Sequence, residues 1–183
     1  MKLEVLQKDG FYHIYNRGIN SCLIFENDEN KRFFLNQFSK YLGGRVKLLA
    51  YCLMDNHFHF VIQISDVEKE VTQGFSNFFN SYAKSFNKQQ DRTGSLFEKH
   101  FKRIRLNDES YLKHLILYVH LNPKHHLDLD FQQYKFSSYE AFVSNKETKV
   151  EKEEITKMFG GLENFIFSHY QKNDFLTEKH TFE

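Results

Sequence analysis

The chain from residue 11 to about residue 145 alternates between two hydrophobic patterns. Short runs of aromatic and β-branched residues predict four strands, at residues 11–17, 45–54, 57–64 and 96–105. Apolar residues that recur every three or four positions predict three helices. The first follows Asn27 or Asp28 and runs to about Leu42, the second runs from about Val67 to Lys88, and the third follows Asn107 or Asp108 and ends at Asn122. The predicted order along the chain is therefore β-α-β-β-α-β-α.

The ends of these elements carry their own signals. Side chains that can cap a helix precede two of the predicted helices: Asn27 or Asp28, and Asn107 or Asp108. Pro123, the only proline, disfavours helix at the preceding residue, so the third helix is expected to end at Asn122. Asp55 and Asn56 form a tight turn that folds the second and third strands into an antiparallel hairpin. Together these features predict an α+β, ferredoxin-like split βαβ fold, with an antiparallel sheet of about four to five strands and helices packed on it.

The composition changes after about residue 145. The segment 146–157 holds four lysines and four glutamates, so it is neutral as a whole, solvated and predicted to be helical. One more amphipathic helix is predicted around Leu162–Tyr170, followed by a polar tail. We therefore expect one folded domain over residues 1–145 and a charged helical C-terminal extension over residues 146–183.

Composition limits the classes of protein to which this chain can belong. Its 183 residues fit one domain, and 40% hydrophobic residues are enough for a core. A net charge of +1 excludes a uniformly basic nucleic-acid coat, so any footprint for DNA has to be local. The two cysteines, Cys22 and Cys52, match no metal-binding or redox spacing. With no signal-peptide pattern and no run that could span a membrane, the chain is expected to be cytoplasmic.

The sharpest local feature is the predicted third strand, which begins His57-Phe58-His59-Phe60. Side chains alternate faces along a strand, so the two histidines point to one face and the two phenylalanines to the other. Two imidazoles on one face can hold a single divalent ion, while the phenylalanine face packs against helices and fixes the strand. The alternative is that both histidines are ordinary polar residues on the solvated face of a half-buried strand.

A second feature lies on the predicted third helix. Tyr118 and Asn122 are one turn apart on a flank of its apolar stripe, so they face a common point. A phenol can attack phosphorus and form a phosphotyrosine bond, which conserves the energy of the broken bond for later rejoining. The amide of Asn122 could supply the oxygen ligand that two histidines lack, and a bound ion would polarise the scissile phosphate. The alternative is that Tyr118 is a flanking core aromatic and Asn122 only a residue at the helix end.

Positive charge is concentrated in the predicted fourth strand. Residues 98–105 have a net charge of +3 because Glu98 is outnumbered by four basic residues: Lys99, Lys102, Arg103 and Arg105. The rings of Phe97 and Phe101 interleave with these charges, a combination that suits phosphate contacts and base stacking. Arg17, at the exit of the first strand, could join this surface. A charged edge strand protected against aggregation fits the same residues equally well.

Taken together, these segments resemble the HUH-type single-tyrosine transposases of the insertion-sequence-200-like branch, and more closely the REP-associated tyrosine transposases. The matching segments run in the family's order from about residue 11 to residue 142: YHIYNRG, MDNHFHFVI, FNSYAKSFNK, GSLFEKHFKRI, YLKHLILYVHLNPKHH and YKFSSYEAF. The YVHLNP segment with SSY downstream is the most telling of them.

The resemblance implies a ferredoxin-like catalytic domain that acts on single-stranded DNA, often beside a hairpin. By position, His57 and His59 correspond to the metal ligands of the HUH motif. Asn122 corresponds to the third ligand and Tyr118 to the nucleophile, whereas the rival Tyr111 lacks an amide one turn further on. The resemblance implies magnesium or manganese as the metal. Some members of the family are homodimers in which the tyrosine helix completes the partner's site, whereas REP-associated members can act alone. The resemblance also implies a bacterial, nucleoid-associated protein.

These observations predict a metal-dependent single-stranded DNA endonuclease and strand transferase that forms a 5′-phosphotyrosine at hairpin or repeat-associated sites. Two alternatives share the same residues. A rolling-circle initiator or relaxase uses the same His-x-His and tyrosine chemistry, but usually with further domains. A non-catalytic module domesticated from a transposase would recognise a DNA or RNA hairpin through the same sheet.

Overall fold

The computed structural model describes residues 4–175 of the chain, with side chains as far as residue 172. Within that range the strands are β1 (Phe11–Arg17), β2 (Val46–Leu53), β3 (His57–Ile64) and β4 (Lys102–Leu106). The α-helices are α1 (Asp28–Leu42), α2 (Glu68–Gln89), α3 (Glu109–Leu127), α4 (Tyr139–Val143), α5 (Lys152–Met158) and α6 (Leu162–Phe175). A short 3-10 turn, Ile19–Ser21, follows β1.

The four strands form one antiparallel sheet in the spatial order β2-β3-β1-β4. The β-α-β-β-α-β units thus interlock at the two central strands, as in a ferredoxin-like fold. The predicted α+β class and the order of the first seven elements are confirmed. The caps are formed as expected, because Asn27 accepts a hydrogen bond from the N–H of Asn30 at 3.0 Å. Asp108 does the same for the N–H of Tyr111 at 2.7 Å.

The fourth strand is shorter than predicted, because it starts at Lys102 and not at residue 96. His100 has a left-handed backbone, with φ of 60°, which interrupts the extended run. The chain before β4 therefore crosses the end of β1 as an irregular segment, held there by an isolated antiparallel bridge at Phe97.

The third helix is longer than predicted. Pro123 lies inside α3, which continues to Leu127 instead of ending at Asn122. Proline lacks a backbone N–H, but its restricted φ suits a helix. The last turn still closes, because the N–H of Asp128 bonds to the carbonyls of Lys124 and Pro123. The prediction that the helix ends before the proline is therefore wrong.

One face of the sheet is covered by α1 and α2 and holds the aromatic core. Phe58 and Phe60 of β3 are fully buried on this face, as the alternation of the HFHF run predicts. Phe34 of α1 lies at the centre of this core. Its ring centroid is 4.6–6.4 Å from those of Phe25, Phe58, Phe60, Phe78, Tyr82 and Phe97. This packing anchors β3, so the opposite face of the same strand can present side chains in fixed positions.

Phe34→Ala is expected to lower the free energy of unfolding by about 3–5 kcal/mol, since removal of a fully buried ring leaves a cavity among packed neighbours. Phe167 on α6 is 60% exposed, and Phe167→Ala is the matched control, with an expected change within about 0.5 kcal/mol. Urea unfolding followed by circular dichroism measures both variants. A loss below about 1 kcal/mol in Phe34→Ala would contradict this description of the core.

The opposite face of the sheet is covered by α3, which packs on β2, β3 and β4. The C-terminal part of the chain lies outside α3, since α6 contacts α3, α4 and α5. Of the helix predicted over residues 146–157 only the part from Lys152 is helical, because Val150 forms a bridge with Leu48 at the edge of β2. The predicted polar tail falls largely on residues 176–183, outside the described residues. None of the helices between residues 4 and 175 combines the length and apolar character that a membrane crossing requires.

Candidate active site

The two histidines of β3 point to the face of the sheet that α3 covers. The register with β1 places Arg17 opposite His57 and Tyr15 opposite His59. The ring centroids of His57 and His59 are 5.2 Å apart, and the rings are nearly perpendicular, at 86°. His59 is fully buried and His57 is half-buried, so this is not the solvated strand face of the alternative interpretation.

Helix α3 packs over this histidine pair with three residues from successive turns: Tyr118, Asn122 and His126. Tyr118 meets His59 edge to face, with ring centroids 5.8 Å apart. His126 meets His57 in the same manner at 5.5 Å. Asn122 lies between them on the helix, because residues four apart share a face. The phenol, the amide and the two imidazoles of β3 therefore converge within one protomer.

The amide of Asn122 is fully buried and only partly satisfied. Its Nδ2 donates to the carbonyl of Tyr118 at 3.0 Å, whereas its Oδ1 accepts no hydrogen bond from any described residue. A buried oxygen without a donor is unfavourable unless another partner binds it, and amide oxygens are ligands that Mg²⁺ and Mn²⁺ accept. No group of three or more His, Cys, Asp or Glu side chains suited to a metal occurs among the described residues. An ion at this site would therefore depend on the amide oxygen as well as on the two imidazoles, a donor set that fits either metal.

Hydrogen bonds engage the Nδ1 atoms of both histidines. His57 Nδ1 lies 2.7 Å from Asn56 Oδ1, and His59 Nδ1 lies 2.9 Å from Nε2 of His13 on β1. Since an amide oxygen only accepts, His57 carries its proton on Nδ1 and its lone pair on Nε2. Such partners orient a ligating imidazole and raise its basicity.

Burial keeps the imidazoles at the centre of the site uncharged. Desolvation lowers the pKa of His59 well below its ordinary value, and the neighbouring imidazoles and Arg17 lower it further. Burial lowers the pKa of His13 to about 3. Both rings are therefore neutral at neutral pH, and neutral imidazole is the form that binds a cation.

An open cleft of about 420 Å³ lies at the His57 end of the site. Its lining includes Arg17, Asn56 and His57 from the sheet and His126 and Leu127 from α3. A somewhat larger cleft of about 500 Å³ lies between α1 and residues 147–150, away from the histidines. The smaller cleft is the one that borders His57.

No protein-family model and no curated protein matches this chain. Its fold matches that of a solved structure described as a REP-associated tyrosine transposase bound to a REP hairpin. The TM-score is 0.62, and the match covers 79% of this chain and 86% of that one at 12% sequence identity. The chain has the fold of a REP-associated tyrosine transposase. A second solved structure, tRNA(His) guanylyltransferase from Saccharomyces cerevisiae, aligns over 85% of this chain and 79% of that one at 16% identity, with a TM-score of only 0.36.

The transposase fold agrees with the family that the sequence segments resemble, and the predicted ferredoxin-like architecture is confirmed. An identity of 12% shows the fold alone. The chemistry of the site therefore has to be inferred from the residues of this chain.

In this fold, the basic residues of the predicted DNA surface lie on different faces of the sheet and do not form one patch. The sequence predicts DNA contacts from Arg17, Lys99, Lys102, Arg103 and Arg105. The register of β4 places Lys102 on the histidine face and Arg103 and Arg105 on the other face. Arg103 lies over the ring of Phe101, 4.3 Å from its centroid, and Lys99 is exposed in the irregular segment before β4. Because side chains alternate along a strand, neighbouring charges in the sequence do not form one surface.

Three residues of the site were missed by the sequence patterns: His13, Tyr15 and His126. The rings of His13 and Tyr15 stack at 4.6 Å, and both lie beside His59. Their two-residue spacing on β1 is the available signal, but it gains meaning only when β1 is known to pair with β3. His126 lies one helical turn after Asn122 on the same face of α3. The sequence prediction missed it because the helix was expected to end at Asn122.

A buried lysine holds the turn that precedes His57. The Lys31 side chain, 8% exposed, donates to Asp55 Oδ1 at 2.7 Å and to the hydroxyl of Tyr134 at 3.1 Å. The Tyr134 hydroxyl in turn donates to the last carbonyl of β2 at 2.8 Å. These bonds fix the turn, and with it the side chain of Asn56 that orients His57.

Lys31→Met is expected to lower the free energy of unfolding by about 1–2 kcal/mol, because it removes both hydrogen bonds of a charged donor. The loss is moderate because Asp55, 54% exposed, can return to water. Lys84→Met, at an exposed position of α2, is the matched control, with a change within about 0.5 kcal/mol. Denaturant unfolding measures both, and equal stability of the two variants would contradict a role for Lys31 in holding the turn.

Proposed function

We propose that this chain is a metal-dependent single-stranded DNA endonuclease and strand transferase that cuts and rejoins DNA through Tyr118. One observation carries the proposal: Tyr118 and Asn122 of α3 converge with His57 and His59 of β3 on one face of the sheet. The fold supports it, since the solved neighbour is a tyrosine transposase bound to a hairpin.

His57, His59 and Asn122 would hold Mg²⁺ or Mn²⁺ through two imidazole nitrogens and one amide oxygen. When bound, the ion would polarise an oxygen of the scissile phosphate and stabilise the charge that develops there. The surrounding residues hold these side chains in position. Asn56 and His13 orient the imidazoles, and the aromatic core behind β3 keeps the strand in place.

Tyr118 would act as the nucleophile. Its phenol oxygen forms a bond to phosphorus while the bond from phosphorus to the 3′ oxygen breaks, which leaves a 5′-phosphotyrosine and a 3′ hydroxyl. The phenol gives up a proton and the departing oxygen takes one up, so the step needs no external energy source. An ordinary tyrosine pKa near ~10 keeps the phenol mostly protonated at neutral pH, so removal of its proton has to be assisted. A second 3′ hydroxyl reverses the reaction and joins a new strand.

The proposed substrate is single-stranded DNA beside a hairpin. Arg17 lines the cleft next to His57, where it can bind a phosphate adjacent to the scissile one. A net charge of +1 favours a defined hairpin site over general DNA binding. Because the tyrosine helix lies on the histidines of its own protomer, the geometry supports cleavage in cis, without a homodimer that exchanges tyrosine helices. A cytoplasmic, nucleoid-associated location in a bacterium is part of this proposal.

The test uses the full chain, Mn²⁺ and a labelled single strand that carries a hairpin with single-stranded flanks. Denaturing electrophoresis is expected to show a covalent protein–DNA adduct, and EDTA is expected to prevent it. Hairpin binding without adduct or cleavage would favour the alternative, a binding module domesticated from a transposase, which the hairpin-bound neighbour also supports. Cleavage that needs no hairpin would favour a rolling-circle initiator or relaxase.

A further inference from the structure

The two histidines of β3 differ in what contacts their Nδ1 atoms. Asn56 Oδ1, 2.7 Å from His57 Nδ1, is an oxygen that only accepts, so it fixes the proton of His57 on Nδ1. His13 Nε2, 2.9 Å from His59 Nδ1, belongs to an imidazole, which can either accept or donate. His59 therefore has two tautomers in this pair, and only one of them can ligate a cation through Nε2.

In the first tautomer, the Nε2–H of His13 donates to His59 Nδ1, and the proton of His59 on its own Nε2 blocks ligation. In the second, the Nδ1–H of His59 donates to His13 Nε2, and the lone pair of His59 lies on Nε2. The proton of His13 is then on Nδ1. Both arrangements hold the same two protons, so exchange between them changes no net charge.

We propose that His13 is a positioning residue for the metal site. By accepting a hydrogen bond from His59 Nδ1, it selects the tautomer of His59 that ligates a divalent cation. This inference rests on the metal site of the proposed function, and it assigns a role to the histidine of the YHIYNRG segment.

The surroundings of His13 argue against a purely space-filling role. Its side chain is 1% exposed on a central strand, and its Nδ1 is buried without a hydrogen bond among the described residues. An unsatisfied buried polar atom is unfavourable, and an apolar ring would fill the same space without one. Tyr15 stacks on the His13 ring at 4.6 Å, and the His13 and His59 rings lie 20° from parallel. The neighbouring strand and ring thus hold the His13 imidazole toward His59.

Metal affinity tests this role. Mn²⁺ is titrated into the full-length protein, and the free ion is quantified by electron paramagnetic resonance for the wild type, His13→Phe and His13→Gln. His13→Phe keeps an aromatic ring but removes the acceptor, and it is expected to weaken Mn²⁺ binding about 10–100-fold. His13→Gln returns an acceptor oxygen close to the position of Nε2, so it is expected to restore most of the affinity.

The chain contains a matched control for the loss of a buried histidine partner. His120 Nδ1 lies 2.9 Å from His169 Nε2, with ring centroids 5.1 Å apart, the same values as for His13 and His59. His169→Phe removes a partner of equal geometry outside the metal site. It is expected to lower the thermal unfolding midpoint and to leave the Mn²⁺ affinity unchanged.

Equal Mn²⁺ affinity in the wild type and His13→Phe would overturn the role of His13 and leave the metal site standing. Weakening that His13→Gln does not relieve, or that His169→Phe reproduces, would also overturn it, because it would report packing and not hydrogen-bond acceptance. Failure of the wild type to bind Mn²⁺ would overturn both the role of His13 and the metal site. The adduct assay then decides separately whether Tyr118 cleaves DNA.

Discussion

Replacement of Tyr118 by phenylalanine is expected to eliminate the covalent protein–DNA adduct and to reduce strand cleavage at least about 10⁴-fold. The substitution removes one oxygen and keeps the ring that packs against His59, so the fold and the metal site should persist. Denaturing electrophoresis of a labelled, hairpin-bearing single strand after incubation with Mn²⁺ measures the effect. The Mn²⁺ affinity of the variant is expected to match that of the wild type, which separates chemistry from metal binding.

Two other tyrosines are the controls for this change. The ring centroid of Tyr15 is 5.7 Å from that of His59, close to the 5.8 Å of Tyr118, so proximity alone does not identify the nucleophile. Tyr111 lies on α3 two turns before Tyr118. Tyr15→Phe and Tyr111→Phe are both expected to form the adduct. An adduct that persists in Tyr118→Phe and disappears in one of these variants would assign the nucleophile to that residue.

Removal of His57 is expected to have the second large effect. His57→Ala deletes one of the two proposed imidazole ligands, so Mn²⁺ binding is expected to be lost. Cleavage should fall at least about 10²-fold, because the phosphate is no longer polarised. His57 is half-buried beside the cleft, so its removal disturbs little packing. Mn²⁺ titration and the adduct assay on the same samples measure both effects.

The control for this change is His125→Ala, which removes an exposed imidazole from the last turn of α3 and is expected to leave both quantities unchanged. Undiminished Mn²⁺ affinity in His57→Ala would rule out His57 as a ligand. His126→Ala is informative beside it, because that ring lies 5.5 Å from His57. Loss of Mn²⁺ binding in His126→Ala would add His126 to the ligand set.

The C-terminal part of the chain contacts α3, the helix that carries Tyr118. His120, between Tyr118 and Asn122 in the sequence, is fully buried on another side of α3. It bonds to His169 of α6 at 2.9 Å and to the Ser138 hydroxyl at 2.7 Å. The same hydroxyl accepts a hydrogen bond from a backbone N–H of β2 at 2.8 Å. Helix α3 is therefore connected to β2 and to α6 through one buried hydrogen-bond network.

Much of the site could be predicted from the sequence, because short-range geometry controls it. The two-residue period of a strand is enough to place His57 and His59 on one face and their phenylalanine neighbours in the core. The helical period is enough to align Tyr118 with Asn122. The caps at Asn27 and Asp108 follow equally from local chemistry, since a side-chain oxygen there satisfies a backbone N–H within three residues.

Other features depended on which elements pack together. His13 partners His59 from 46 residues away, and this requires β1 to pair with β3 in one particular register. The basic run of β4 divides between two faces because side chains alternate along a strand, but which of these faces lies beside His57 and His59 depends on the pairing of β4 with β1. Pro123 sits inside α3, where it is buried together with the preceding Leu121 and Asn122.

Which side chains share a face within a helix or strand follows from the sequence alone, because it depends only on the backbone repeat. Packing between the elements sets which faces meet and how deeply His59 and Asn122 are buried, and it leaves Asn122 Oδ1 without a hydrogen-bond donor among the described residues. The physical reason is that burial and partner choice come from packing free energy shared by residues far apart in the chain, which no local pattern contains.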